Sequence, residues 1–154
     1  MQPKAYQRAL LVLVTLMMAT PAFSAGVVVQ DQDEYREAVK NARPGDVIKL
    51  ANGTWRDFEI LFRAEGSEGA PITLTAEEKG KVFITGQSNL RIAGRHLVVS
   101  GLVFKDGYTP TSEVIKFRRN AEDLAYHSRV TEVVIDHYNN PERTEVDSWV
   151  MMYG

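Results

Sequence analysis

The sequence predicts an all-β solenoid of parallel strands, capped at its N-terminal end by one short α-helix. Three observations carry this reading. Short apolar runs rich in Val, Ile and Phe, bounded by Gly, Asn, Asp or Pro, fill the chain from Asp46 onward, which is how strands read. Similar runs, ITL (72–74), RIA (91–93), VIKF (114–117) and VVID (133–136), recur at intervals of about 20 residues, as expected where coils of chain stack on one another. The stretch LVVSGLVF (97–104) joins two strand-like pieces through Gly101 alone; a hairpin would need a two-residue loop or a longer loop containing Gly. The chain there bends into the next face of a coil, with Leu97, Val99, Leu102 and Phe104 pointing inward. An irregular β-sandwich is the competing architecture, because it too is made of many short strands.

The elements follow in order. Lys4 and Arg8 lead into the apolar run ALLVLVTLMMAT (9–20), followed by Pro21 and the small-residue site AFSAG. This three-part pattern predicts a secretory signal over residues 1–24, cleaved after Ser24 or Ala25. The run is shorter than the ~20 residues a spanning helix needs, so no membrane attachment is expected after cleavage, and the protein is expected to be secreted or periplasmic. VVVQ (27–30) reads as a strand. Over 33–42, with Asp31 or Asp33 as N-cap, Tyr35, Ala38, Val39 and Ala42 fall on one helix face, and Pro44-Gly45 ends it. Then come DVIKL (46–50), a turn at ANGT, FEILF (58–62), PITLTA (71–76), KVFITG (81–86), NLRIAG (89–94), HLVVSGLVF (96–104), EVIKFR (113–118), RVTEVVIDHY (129–138) and SWVMMYG (148–154).

A solenoid exposes core and strand edges at its ends and needs caps. The helix fits the first end, and nothing closes the apolar SWVMMYG. Residues 25–154 are therefore expected to be the N-terminal coils of a longer β-helix domain, incomplete at the C-terminus and prone to associate when isolated.

Composition narrows the function. The chain of 154 residues is 44% hydrophobic and 25% charged, ordinary for one globular domain. Loss of Lys4 and Arg8 with the signal leaves 16 Lys and Arg against 20 Asp and Glu, a net of −4, which argues against a nucleic-acid partner. With no cysteine, the fold is not held by disulfides. Phosphate-loop, dinucleotide and serine-nucleophile motifs are absent.

Several constellations invite a functional reading. Asp136, His137, Asn139, Asn140, Glu142, Glu145 and Asp147 are oxygen-rich enough for Ca²⁺ but lack EF-hand spacing, and a polar inter-strand loop accounts for them better. His96, His127 and His137 have no metal-ligand spacing. Lys116, Arg118, Arg119 and Arg129 would line a groove for sugar acids if successive coils align them; a solvated face is the simpler reading. Asn52-Gly53-Thr54 fits a glycosylation acceptor but reads more simply as a turn, and Trp55 and Trp149 are expected in the core or at an end before any sugar.

The series PGDVIKLANGTWRDFEI, GAPITLTAEEKGKVFITG and LRIAGRHLVVSGLVFKDG resembles the N-terminal region of polysaccharide lyase family six, the chondroitinase B and alginate lyase family. The segment SRVTEVVIDHYNNPER…DSWVMMYG looks more like the alginate-degrading members, and the resemblance runs from about Val27 to Gly154. It implies a right-handed parallel β-helix with a short helix over its first coil. It also implies cleavage of an acidic polysaccharide, of the alginate or the dermatan and chondroitin type, by β-elimination, with alginate (poly-mannuronate) expected. In such a family Ca²⁺ held by Asn and Glu neutralises the uronate carboxylate, with Lys as base and Arg nearby. No position of this sequence matches those residues, so none is assigned a catalytic, metal-binding or cofactor-binding role, and this chain by itself is expected to be inert. A non-catalytic glycan-binding or adhesin-type β-helix, or a β-helix enzyme acting on pectin, would share the early coils.

Overall fold

The computed structural model describes residues 26–142 and 147–153; the signal segment and Glu145 lie outside the described residues. The chain runs β1 (Val27–Val29), α1 (Gln32–Asn41), β2 (Val47–Leu50), β3 (Gly53–Arg56), β4 (Glu59–Glu65), β5 (Ile72–Ala76), β6 (Val82–Gln87), β7 (Asn89–Arg95), β8 (Leu97–Ser100), β9 (Val103–Tyr108), β10 (Glu113–Lys116), β11 (Ala125–Tyr126), β12 (Arg129–Thr131), β13 (Val134–Tyr138) and β14 (Ser148–Met151). Every ladder between these strands is parallel. The first sheet is ordered β1-β2-β5-β8-β12 and the second β3-β6-β9-β13; in the third, β7 pairs β4 on one side and β10 and β11 on the other, and β14 follows β10. From β2 onward each coil contributes to all three sheets, β10 and β11 together forming one coil's share of the third, and successive coils lie ~4.8 Å apart, the spacing of paired strands. The chain is thus a parallel β-solenoid, and the sandwich is excluded.

The period is not the expected one. Ile72 sits beside Leu97, 25 residues on; Ile84 beside Phe104, 20 on; and Val98 beside Arg129, 31 on. Three strands of similar apolar alternation make up each coil, so the spacing of about 20 compares different faces. RIA and VIKF lie on the third sheet, where Arg91 and Lys116 are true neighbours, but ITL belongs to the first and VVID overlaps the second. The longer step comes from loops that bulge out between strands without changing the ladders.

The core is a column of inward side chains from all three sheets. Leu97, Val99, Leu102 and Phe104 have no exposed surface, and burying each is worth ~1.5–3 kcal/mol. Gly101 turns the corner between them at φ +75°. One coil later Glu132 makes the same corner at φ 52° and splits RVTEVVIDHY into β12 and β13. A carboxylate-bearing residue in the left-handed region costs conformational energy that glycine avoids. The turn expected at ANGT is also shorter than its sequence suggests, because GTWR already forms β3. Trp55 is that strand's buried residue; its indole donates to the Ala51 carbonyl at 3.0 Å and stacks on Phe58.

The helix caps the first coil as expected. Asp31 is the N-cap, its carboxylate accepting from the amides of Asp33 and Glu34 at 2.9 and 2.8 Å. Tyr35 is buried edge-on to Phe58 and donates to the Leu61 carbonyl at 3.2 Å. Ala38, Val39 and Ala42 pack against the core behind it.

The corner between the second and third sheets is held by hydrogen bonds inside the protein. Ser88 Oγ accepts from the Phe58 amide at 2.8 Å and donates to the Thr85 carbonyl at 2.7 Å. Two coils above Ser88, the buried Tyr138 hydroxyl accepts from the Ser88 amide at 3.0 Å and donates to the Ser88 carbonyl at 2.6 Å. Burial pushes the Tyr138 phenol up to about 12. Backbone approaches so closely there that a Cβ on Gly107 would lie 2.3 Å from the Gly86 carbonyl oxygen.

At the other end Val134, Trp149, Val150 and Met152 are all about half exposed or more. We expect Tyr138→Phe, which takes the 2.6 Å hydrogen bond from the Ser88 carbonyl while the Ser88 amide keeps the Tyr108 carbonyl at 3.1 Å, to destabilise the fold by ~1 kcal/mol in chemical denaturation; an unchanged midpoint would show that the corner does not need the hydroxyl. The apolar end predicts that residues 25–154 alone associate with rising concentration in sedimentation velocity, and a monomer at every concentration would contradict it.

Candidate functional site

Two surface features are built on this scaffold. The first is a polar cleft along the corner of the second and third sheets. Its lower part, about 530 Å³, is lined by Arg56, Asp57, Glu59 and Gln87; its upper part, about 400 Å³, by Thr111, Ser112, Asn140 and Asp147. Gln87, Tyr108 and Pro110 border both, so the cleft crosses successive coils. Its floor is set by Asp57, in the left-handed region at φ 52°, whose carboxylate accepts from the Gln87 amide at 2.8 Å. Gly86 has no room for a side chain there, since a Cβ would lie 2.2 Å from that carboxylate oxygen.

The second feature is the outer face of the third sheet. Side chains alternate across a strand, so with Ile60, Leu90 and Ile115 buried in the core, Leu61, Arg91, Lys116 and Met151 form one outward column, each in register with the next. Ion pairs tie the coils: Arg91 to Glu59 at 3.2 Å and Arg95 to Glu65 at 3.0 Å join neighbours, while Asp123 pairs with Arg63 two coils below at 2.8 Å and with Arg119 of its own hairpin at 2.9 Å. Asp123 closes the outward hairpin that follows β10, where Arg118 bridges to Leu124.

Of the predicted basic set, the structure brings Lys116, Arg118 and Arg119 together on this face and places Arg129 on the first sheet. Lys116 pairs with Glu113 at 3.1 Å, and the Arg118 guanidinium lies 3.3 Å from the Tyr153 ring centre. The Tyr153 hydroxyl donates to the other Glu113 oxygen at 2.8 Å. Burial alone would raise the Glu113 pKa, but the Tyr153 hydroxyl, Lys116 and Arg118 outweigh it and hold the carboxyl below its ordinary range.

The other constellations are dispersed. In the 136–147 loop, Asp136 pairs with His137 at 2.7 Å and Asn140 caps the Glu142 amide at 2.9 Å, while Asn140 and Asp147 turn to the cleft. Among the described residues no three carboxylates or imidazoles gather as metal ligands. His96 and His127 stack, 4.9 Å between ring centres, at the corner from the third sheet to the first. Asn52 hydrogen-bonds Glu78 of the next coil with both its amide nitrogen and its oxygen, as a turn residue would. Trp55 is core, and Trp149 is half exposed on β14.

Sequence reasoning missed Arg91, Glu113 and Tyr153, which complete the charged face, and Gln87 and Tyr108, which border the cleft. Arg91 alone had a usable signal, the matched places of RIA and VIKF. The others meet only through register.

A stack of parallel coils with a largely apolar core, polar inside chiefly at the corner of Ser88 and Asn89, and with its cleft and charged face outside that core, defines a β-solenoid that meets ligands at its surface. The chain belongs to the Chondroitinase B family, which it matches over residues 29–154. Among solved structures it is similar to the PL6 family alginate lyase AlyGC, at 66% identity and a TM-score of 0.83, over 84% of this chain and 18% of that one. It is also similar to the PL6 family polysaccharide lyase Pedsa3628 from Pseudopedobacter saltans, at 31% identity and a TM-score of 0.72, over 80% and 28%. A mannuronic acid specific family 6 lyase from human gut microbiota matches at 29% identity and a TM-score of 0.74, over 84% and 31%. The chain thus spans less than a third of the length of each of these relatives. No curated protein matches it.

The lowered Glu113 pKa gives a pH prediction. A depressed carboxylate contributes stability that is fully present above its unfolded pKa of about 4.3 and lost as pH falls through the folded value. Glu113→Gln should therefore narrow the difference in unfolding midpoint between neutral and acid pH; an unaltered pH dependence in thermal melts would contradict the coupling.

Proposed function

We propose that this chain supplies the N-terminal coils of an exported lyase that cleaves alginate of the mannuronate type by β-elimination, assisted by Ca²⁺. The carrying observation is the 66% identity to an alginate lyase of this family; a relative specific for mannuronic acid supports the sugar. Export rests on the signal pattern of residues 1–24.

The chemistry sets what the whole enzyme must provide. The proton at C5 of a uronate is weakly acidic, so its carboxylate must be neutralised and the enolate-like charge stabilised, while a base takes that proton and an acid protonates the leaving oxygen. When bound, Ca²⁺ would supply the neutralisation. The described residues gather no ligand set for it, and no step here is routed through it. What these coils contribute is position: a rigid stack whose cleft and charged face hold an extended acidic chain, with both proton transfers assigned to residues outside them.

The test is absorbance of the unsaturated uronate when the full-length protein meets alginate or dermatan sulfate, with and without chelator. We expect product from alginate that is suppressed by chelator, and none from residues 25–154 alone. No product from either polysaccharide would overturn the lyase reading and leave a glycan-binding β-helix.

A further inference from the structure

We infer that the outward column Arg91–Lys116 on the third sheet is a carboxylate-binding track for an extended polyuronate, a binding site separate from the chemistry of cleavage. This rests on the polyuronate substrate proposed above.

Register comes first. Arg91 and Lys116 are direct neighbours on adjacent coils, with Leu61 below and Met151 above. Two cations therefore repeat at the ~4.8 Å coil spacing, close to the length of one sugar in an extended chain, and consecutive uronate carboxylates can meet consecutive coils. Apolar Leu61 and Met151 offer surface to the sugar rings at either end.

Shape comes second. Around β10 the coil is longer than the one beneath it, on both sides of this column. Between β6 and β7 the turn is Ser88 alone, whereas Thr109–Ser112 separates β9 from β10. After β10 the chain makes the hairpin closed by Arg118 and Leu124, while β7 runs straight through. The hairpin is pinned to the coils below by Asp123 on Arg63. These longer connections flank β10 at both ends, so Lys116 lies between them along the chain.

Donor capacity comes third. The Lys116 and Arg91 side chains are only 19% and 29% exposed, so their positions are fixed before any ligand arrives. Glu113 and Glu59 each take a single contact from them. Strands β4, β7 and β10 with the hairpin carry six Lys or Arg against five Asp or Glu, while the mature chain as a whole is net −4. This face is thus locally the favourable one for an anion, and guanidinium and ammonium groups with spare donors select carboxylate over hydroxyl.

The experiment is calorimetric titration of the chain with oligomannuronate and, separately, with a neutral dextran oligosaccharide, at low and raised salt. We expect oligomannuronate to bind, salt to weaken it, and dextran not to compete. Lys116→Met and Arg91→Gln should each weaken binding about tenfold, with Arg129→Gln on the first sheet leaving it unchanged and thermal melts showing all three folded. Absence of binding by the unaltered chain, equal binding of dextran, or unchanged affinity in both Lys116→Met and Arg91→Gln would overturn the track. Alginate cleavage by the full-length protein in the face of such a result would leave the lyase reading standing, whereas binding here without cleavage there would remove that reading alone.

Discussion

Parallel stacking in register is the constraint from which the rest of this structure follows. Each coil must place its inward residues directly above those of the coil before, because the ladders of all three sheets are shared. Satisfying that at a corner is harder than along a strand, since backbone groups there leave the ladder and still need partners. The molecule meets the demand at the second corner with Ser88 and Tyr138, which between them engage backbone groups of Phe58, Thr85 and Ser88. Glycines at 86 and 107 allow the backbones to come close enough for this. The stack is therefore pinned at a corner by polar groups and along its faces by apolar ones.

The surface chemistry depends on the same constraint. No single strand of this chain carries a catalytic signature. What the stack does is turn residues distant in sequence into neighbours: Arg63 with Asp123, Arg91 with Lys116, Glu113 with Tyr153. A rigid array of this kind loses little conformational entropy on meeting a stiff ligand. It suits recognition of a long repetitive molecule better than enclosure of a small one.

This explains what could be read from the sequence. The helix and its cap were legible because Asp31, Tyr35, Ala38, Val39 and Ala42 express a local period. The corner at Gly101 was legible because one residue between two apolar runs is too short for a hairpin and glycine accepts the positive φ of a bend. The coil length was not, since three similar strands per coil disguise which run stacks on which. Strand β3 hid behind Asn52-Gly53, and Glu132 turned a corner without the glycine that would have announced it. The charged face was half legible: Lys116, Arg118 and Arg119 stood out as a basic cluster, but Arg129 was grouped with them by proximity in sequence and lies on another sheet. Glu113 and Tyr153, 40 residues apart, had nothing local to connect them.

The hairpin after β10 has a further consequence. Before it Ile72 stacks 25 residues from Leu97, and after it Val98 stacks 31 residues from Arg129, yet the first sheet continues through both steps. A hairpin looped out of the third sheet between β10 and β11, opposite Ile92 and Ala93 of β7, thus leaves the architecture intact, whereas one residue added within a strand would turn its apolar set outward. Such a scaffold can diversify what it grips by grafting loops at its edges while inheriting its trunk unaltered.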